Sequence, residues 1–342
     1  MDAAIDTGNT IASLRARRRE MRRRYGLAIV TMLGSLTLLV APSAADEVAP
    51  PAKQPDESSS GKLVICGGGV LPIQLRNRFI ELAGGPAAHV VVITTASVYA
   101  DTDKMEGKLS FWHEQKLASL TILHTRSRRT ADDPEFAQPL RQATGVWFVG
   151  GNQNWLTETY LGTVTEKEIR GVLARSGVVG GTSAGAAIMS PVMIRRDKPE
   201  VETGPGFGFL PGTVVDQHFL KRNRQGRLLK VLGSHPNLVG LGIDEGTGLV
   251  VEGNHLSVVG DSQVVVCSPA TGDVPETVQS LEPGSVTALD ELRSLMGHAG
   301  PKPVPTAVAA NVQQPADSAE SQSVQPAAPT SDEQEAVRKV GQ

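Results

Sequence analysis

The stretch VVGGTSAGAAIM, residues 178–189, decides the fold class because its character changes twice within a few positions. It opens with an apolar β-branched pair typical of a buried strand, passes through a turn of small residues, and continues into an alanine-rich helix start. Within the turn, GTSAG at residues 181–185 fits the G-x-S-x-G pattern, which holds a serine in a strained conformation between a strand and a helix. We therefore predict a strand–turn–helix unit with Ser183 as a candidate nucleophile.

A serine at the start of a helix has free backbone N–H groups beside it. The N–H of Ala184 is the one best placed to stabilise a developing oxyanion. With 36 glycines in the chain, short glycine patterns also arise by chance. A tight strand–helix turn without a catalytic role is therefore the alternative interpretation.

Short β-branched runs recur along the chain and alternate with segments of helix length. The predicted strands are 63–66, 89–94, 120–124, 145–149, 178–179, 214–215, 241–243, 249–252 and 264–267, and the predicted helices are 71–83, 105–118, 134–143 and 165–176. Such alternation predicts an α/β fold with a mainly parallel sheet, because parallel crossovers need an intervening element. Catalytic groups are then expected where loops leave the carboxyl ends of the strands.

Composition and charge narrow the possible functions. The chain has 342 residues, of which 40% are hydrophobic, enough for a packed core. A formal net charge of −3 gives no general attraction to nucleic acid or to an anionic membrane. No nucleic-acid partner is predicted.

The amino-terminal segment has the pattern of a secretory signal peptide. Three arginines, at positions 22–24, precede an apolar run at 27–40, and small residues follow as far as Ala45. We predict a signal peptide over residues 1–45, cleaved near Ala45, and export to the periplasm or the extracellular space. An uncleaved membrane anchor is the weaker alternative, because the run is shorter than the roughly 20 residues of a membrane span. Met21 is an alternative start.

Two further segments lack any periodic apolar pattern. Residues 46–60 and 296–342 are rich in Pro, Ala, Ser, Gln and acidic residues, so we predict a flexible linker and a flexible tail. The folded domain is predicted over residues 61–295.

A serine nucleophile needs a base, usually a histidine that a carboxylate orients. Of seven histidines, His218 stands at the end of a predicted strand among polar residues, as a catalytic group would. It follows Ser183 by 35 positions, too few for the usual order of lipases and esterases. The candidate acids in the intervening loop are Asp197, Glu200 and Glu202, and the sequence does not choose among them.

Other chemistry has no support in the sequence. Cys66 and Cys267 lie in apolar runs and are predicted to be buried thiols. No His, Cys and Asp cluster has the spacing of metal ligands, and the glycines at 67–69 lack the pattern of a dinucleotide site. No metal and no cofactor is predicted.

Five segments together resemble a known family. They are LVICGGG (63–69), FVGGNQ (148–153), GTSAGA (181–186), DQHFLKRNRQGR (216–227) and LGIDEGT (241–247). In this order they are similar to the serine peptidases that include cyanophycinase and the aspartyl dipeptidases, peptidase family S51. The resemblance implies a three-layer α/β/α fold of the class I glutamine amidotransferase type, and a homodimer.

The resemblance also implies residue roles. Ser183 corresponds to the nucleophile and His218 to the base. The turn at Gly150 and Gly151 corresponds to the surroundings of the oxyanion. The residues expected to face or line the substrate pocket are Gln153, Asp216, Gln217, Arg222, Arg224 and Arg227. For the acid, Asp197 matches the dipeptidase segment, and Glu200 is nearer to the glutamate of cyanophycinases.

The function so implied is that of an exported serine exopeptidase. It would hydrolyse cyanophycin, multi-L-arginyl-poly-L-aspartate, to β-Asp-Arg dipeptides through an acyl-enzyme. The arginine cluster suits this substrate, because the planar guanidinium binds carboxylates in a bidentate manner. Asn152, in a Gly-Gly-Asn sequence like that of the dipeptidases, leaves short α- or β-aspartyl peptides as an alternative. A second alternative is that the domain is inactive and binds acidic peptides.

Overall fold

The computed structural model describes residues 61–270 and 275–294. The predicted signal peptide, the linker and the tail lie outside the described residues. Within the described ranges, no helix has the length and apolar character needed to cross a membrane. The same ranges contain no group of three or more His, Cys, Asp or Glu side chains arranged to hold a metal ion.

The main sheet has eight strands, in the order β14-β11-β10-β1-β5-β4-β2-β3. The parallel strands are β1 (Lys62–Cys66), β2 (His89–Ile93), β3 (Ser119–Leu123), β4 (Gly145–Phe148) and β5 (Val178–Thr182). Three antiparallel strands extend the sheet beyond β1, namely β10 (Thr247–Glu252), β11 (His255–Gly260) and β14 (Val286–Ala288). The predicted α/β class is confirmed, with a mixed sheet.

The helices of the described residues are α1 (Ile73–Leu82), α2 (Lys104–His113), α3 (Arg128–Ala131), α4 (Gln153–Tyr160), α5 (Val164–Ala174), α6 (Ala184–Ala187), α7 (Gln225–Ser234) and α8 (Leu289–Ser294). The prediction of a helix over residues 134–143 is wrong. Only a 3₁₀ turn, Gln138–Arg141, forms there. Pro139, in the middle of this range, explains the difference, because proline lacks the N–H that would continue an α-helix.

Side chains of β1 alternate between two hydrophobic layers, one on each face of the main sheet. Leu63 and Ile65 belong to one cluster of buried residues, and Val64 belongs to the other. The second layer contains Phe79 and Trp147, whose rings meet edge to face with centroids 5.1 Å apart. Burial on both faces explains why these strands are continuous apolar runs in the sequence.

A second sheet, in the order β13-β12-β9-β8, was not predicted as a separate unit. Its strands are β8 (Thr213–Gln217), β9 (Val239–Ile243), β12 (Val264–Ser268) and β13 (Thr277–Leu281), and a hairpin of β6 (Val192–Arg196) and β7 (Glu202–Pro205) precedes it. Val215 of β8 joins the main core, while Val214 packs with α7 residues on the other face. The carboxyl end of β8 reaches β1, where the N–H of His218 donates to the carbonyl of Gly67.

Candidate active site

Ser183 occupies the predicted turn between β5 and α6. Its backbone has φ 52° and ψ −109°, a conformation that non-glycine residues rarely adopt. The turn depends on close backbone packing, because a Cβ added to Gly181 would lie 2.7 Å from the carbonyl group of Gly185. The small residues around Ser183 therefore allow the sharp turn that exposes its hydroxyl.

His218 follows β8 directly and reaches the serine. Its Nε2 atom lies 2.8 Å from Oγ of Ser183. His218 also has a positive φ, 49°, and these two residues are half of the four non-glycine positions with positive φ in the described chain. Unfavourable backbone conformations are thus concentrated at this pair, as is common at functional sites.

Glu245, in the loop between β9 and β10, completes a chain of hydrogen bonds. Its Oε1 atom lies 2.7 Å from Nδ1 of His218. With the Nδ1 proton donated to this carboxylate, Nε2 is left as the acceptor for the hydroxyl of Ser183. A hydroxyl, an imidazole and a carboxylate in this order form the arrangement that activates a serine nucleophile.

The acids predicted between Ser183 and His218 do not take this position, and the structure corrects that expectation. Asp197 has its Oδ2 3.4 Å from Nη1 of Arg227, and Glu202 pairs with Arg196. Glu200 is exposed in the turn of the β6–β7 hairpin. Within the described contacts, none of the three reaches His218.

A signal for Glu245 was present in the sequence. It stands two positions after the buried run 241–243, at the carboxyl end of a predicted strand, inside one of the five resembling segments. The neighbouring carboxylate, Asp244, has different hydrogen-bond partners. Its oxygens accept hydrogen bonds from the N–H of Lys221 and from the hydroxyl of Ser262, both at 2.9 Å.

The electrostatics keep His218 neutral. Burial lowers the pKa of His218 from its ordinary value of 6.5, the hydrogen bond to Glu245 opposes this, and the nearby cations of Arg222 and Arg224 lower it further. The net direction is downward. A neutral imidazole at neutral pH is the form that can accept the serine proton.

The glycine turn after β4 lies against the nucleophile. A Cβ added to Gly150 would be 3.3 Å from Cβ of Ser183. Gly151 has φ 141°, and a Cβ there would lie 2.0 Å from the carbonyl oxygen of Ala96. The structure therefore places Gly150 against Ser183, and Ala184 begins α6 directly after it. The oxyanion role of Gly150, Gly151 and Ala184 stays a prediction.

The arginine cluster is divided between a buried part and an exposed part. Asp216 is fully buried and accepts hydrogen bonds from Arg227, with Nε 2.7 Å from Oδ2. Nη1 of Arg224 donates to the side chain of Gln217 at 2.8 Å, and burial and Arg227 lower the pKa of Arg224 to about 10. Arg222 is exposed.

The lining of a substrate pocket by these residues stays a prediction, and their contacts within the protein are as follows. Asp216 is buried and Arg227 is half-buried, and the two side chains bind one another. Gln153 is also engaged within the protein, since its Nε2 donates to the carbonyl of Ile194 on β6 at 2.9 Å. Of the six predicted residues, Arg222 is the exposed one on the loop that follows His218.

The chain is similar to known proteins over most of the described residues. Residues 63–259 match the model of peptidase family S51. A cyanophycinase of Geminocystis herdmanii is 32% identical over 202 residues, which cover 56% of this chain and 74% of that protein. A cyanophycinase of Synechococcus elongatus is 33% identical over 207 residues, which cover 57% of this chain and 63% of that protein.

The fold is also similar to that of solved structures. The crystal structure of a peptidase from an acI-B1 actinobacterium superimposes with a TM-score of 0.51 at 25% identity, covering 67% of this chain and 97% of that one. The family match spans Ser183, His218 and Glu245 alike.

Proposed function

This chain belongs to peptidase family S51 and is a serine peptidase, and we propose that Ser183, His218 and Glu245 are its catalytic triad. One observation carries the proposal. The hydrogen bonds of 2.8 Å and 2.7 Å run in an unbroken chain from the serine hydroxyl to a carboxylate. The strained backbone of Ser183 and His218 supports the same conclusion.

The acylation step follows from these positions. Oγ of Ser183 attacks the carbonyl carbon of the scissile peptide bond while Nε2 of His218 takes the hydroxyl proton. The negative charge on the carbonyl oxygen is stabilised by the N–H groups of Ala184 and of the turn at Gly150 and Gly151. The C–N bond then breaks, the leaving amine takes the proton from His218, and the acyl group remains as an ester on Ser183.

Deacylation repeats the sequence with water. His218 removes a proton from water, the resulting oxygen nucleophile attacks the ester carbon, and Oγ of Ser183 leaves with the proton that His218 returns. The carboxylate of Glu245, hydrogen-bonded to Nδ1, stabilises the imidazolium that forms in each step. The products are a carboxylic acid and the free enzyme.

We propose cyanophycin as the substrate, cut from its backbone into β-Asp-Arg dipeptides by exopeptidase action. The support comes from relatives named cyanophycinase and from Arg222, a cation on the exposed loop after the base that acts on the pKa of His218. A guanidinium binds carboxylates well, and the polymer has an aspartate backbone.

Short α- or β-aspartyl peptides are a second candidate substrate. The observation in their favour is that Arg224 and Arg227 are turned inward to Gln217 and Asp216. Arg222 is the exposed arginine of the three, and a small peptide offers fewer carboxylates than the polymer. The chemistry at Ser183 is the same for both substrates.

The test is to incubate the purified protein with cyanophycin, with short fragments of cyanophycin, or with aspartyl dipeptides. Mass spectrometry then identifies the products. Wild type should release β-Asp-Arg, and Ser183→Ala should not. Ser176→Ala is the matched control, because Ser176 also has a positive φ, 62°, but stands outside the site. Release of amino acids from dipeptides alone would favour the second substrate, and full hydrolysis by Ser183→Ala would exclude the serine mechanism.

We further propose that the protein is exported and acts as a homodimer. The arginines, apolar run and small residues of positions 22–45 support export, and family resemblance supports the dimer. Sequencing the amino terminus of the protein recovered from a host's periplasm tests the first proposal, since cleavage should fall near Ala45. Light scattering of the purified protein tests the second, and a monomeric mass would contradict it.

A further inference from the structure

The turn after β1 contacts all three segments of the site. The N–H of Ser183 donates to the carbonyl of Cys66 at 3.0 Å, and the N–H of His218 donates to that of Gly67 at 2.8 Å. The next carbonyl, that of Gly68, accepts from the N–H of Gly246 at 3.0 Å. Three successive carbonyls of one turn thus hold the backbone beside the nucleophile, the base and the acid.

The same turn leaves no room for side chains. A Cβ on Gly67 would lie 2.1 Å from the carbonyl oxygen of Asp244, and a Cβ on Gly69 would lie 2.9 Å from Cβ of Glu245. At Gly68 the obstacle is the imidazole itself. A Cβ there would be 2.3 Å from Cε1 and 2.5 Å from Nε2 of His218.

We infer that Gly68 is a positioning residue whose missing side chain is the space that His218 needs to aim Nε2 at Ser183. The inference rests on the proposed role of His218 as the base. A methyl group at this point meets the far end of a side chain and not backbone, so the ring moves while the fold stays. Displacement of a catalytic group by about 1 Å costs on the order of 100-fold in rate.

The first test is Gly68→Ala, with a control that separates the ring contact from backbone strain. Gly68 has φ 110°, where alanine is disfavoured wherever the residue lies. Gly84 has φ 113°, but a Cβ there would meet its nearest atom at 3.8 Å, an ordinary contact. Gly84→Ala therefore places an alanine at nearly the same unfavourable φ without the contact to His218.

We expect both variants to lose similar stability, and only Gly68→Ala to lose kcat, by about 100-fold or more, with KM nearly unchanged. A merely structural role would move the two variants alike. Wild-type kcat in Gly68→Ala, or an equal loss of kcat in both variants, would overturn the inference.

A second readout does not depend on substrate. The proton between Nδ1 of His218 and Glu245 should give a downfield proton resonance in wild type and in Gly84→Ala, assigned by its loss in His218→Ala. We expect Gly68→Ala to shift or lose it. If wild type hydrolyses no aspartyl substrate, the proposed function fails, but this resonance still decides whether Gly68 positions the ring.

A third measurement covers the case in which Gly68→Ala does not fold. Combining it with His218→Ala removes the ring that the new methyl group meets. Folding should then be restored to the level of Gly84→Ala combined with His218→Ala. Failure to restore it would show that the penalty arises elsewhere and would overturn the inference.

Discussion

Nδ1 of His218 lies 2.7 Å from Oε1 of Glu245, a residue that stands 27 positions further along the chain. The acid of this site therefore comes after the base in sequence, across strand β9. Its contact with His218 fixes which ring nitrogen carries the proton, and so which one faces Ser183.

Replacing Glu245 by Gln should reduce kcat by on the order of 10⁴-fold, because an amide can stabilise the wrong tautomer of His218. Steady-state hydrolysis of the best substrate measures this. Asp197→Asn, Glu200→Gln and Glu202→Gln are matched controls that remove one carboxylate each. If one of the controls lost as much kcat as Glu245→Gln, the catalytic acid would instead be the residue of the β6–β7 hairpin that this control replaces.

The pH dependence of serine labelling should respond to Arg222. A small neutral phosphonate probe reacts with Ser183 only when His218 is neutral, so the labelling rate falls as pH drops through the pKa of His218. Arg222→Gln removes a cation that lowers this pKa. The acid limb should therefore move to higher pH.

Lys221→Gln serves as the control for that experiment, since it removes a neighbouring exposed charge. Its acid limb should stay where the wild-type limb is. An acid limb that moves downward in Arg222→Gln would contradict the assigned electrostatics of His218.

Arg227 contacts two aspartates, Asp216 and Asp197, and we expect the contact with Asp216 to contribute far more to stability. Side-chain exposure is 0% for Asp216 and 46% for Asp197, while that of Arg227 is 10%. Asp216→Asn removes the buried charge partner of Arg227, leaving only the exposed Asp197, and should cost about 3–5 kcal/mol in the free energy of unfolding. Asp197→Asn should cost less than about 1 kcal/mol. Urea denaturation of both variants checks this, and equal losses would refute it.

Thiol reagents should leave the folded enzyme active. Cys66 and Cys267 are buried and unpaired with one another, and burial raises the pKa of each to about 12. The reactive thiolate is therefore scarce at neutral pH. Iodoacetamide should modify both cysteines in urea and neither in the folded protein. Inactivation that precedes unfolding would show an accessible thiol near the site.

Local patterns predicted much of the main sheet and two members of the site. Runs such as 63–66 and 89–94 are recognisable because strands buried on both faces are apolar at every position. Ser183 and His218 were recognisable because each follows an apolar run. Ser183 lies among small residues, and His218 lies among polar ones. These signals lie within about ten residues of the position they identify.

The remainder depends on pairing between distant segments. Glu245 reaches His218 because β8 and β9 lie parallel and side by side, and nothing in residues 241–247 records which strand is the neighbour. Asp244 and Glu245 are adjacent carboxylates, and the sequence does not show which of them contacts the base. In the fold, Asp244 accepts hydrogen bonds from Lys221 and Ser262, whereas Glu245 contacts His218. The inward turn of Arg227 likewise depends on Asp216 being buried, which the charged sequence around it conceals.

The position of β1 has a consequence for when activity appears. This strand is the earliest of the described chain, yet it pairs with β5 on one side and with β10 on the other, where Leu63 lies opposite Val251. Contacts so distant in sequence form late and slowly, since each requires a long loop to close. The turn that aligns the site is complete only after β10 has joined the sheet. We therefore expect a nascent chain in which β10 has not yet joined the sheet to lack peptidase activity.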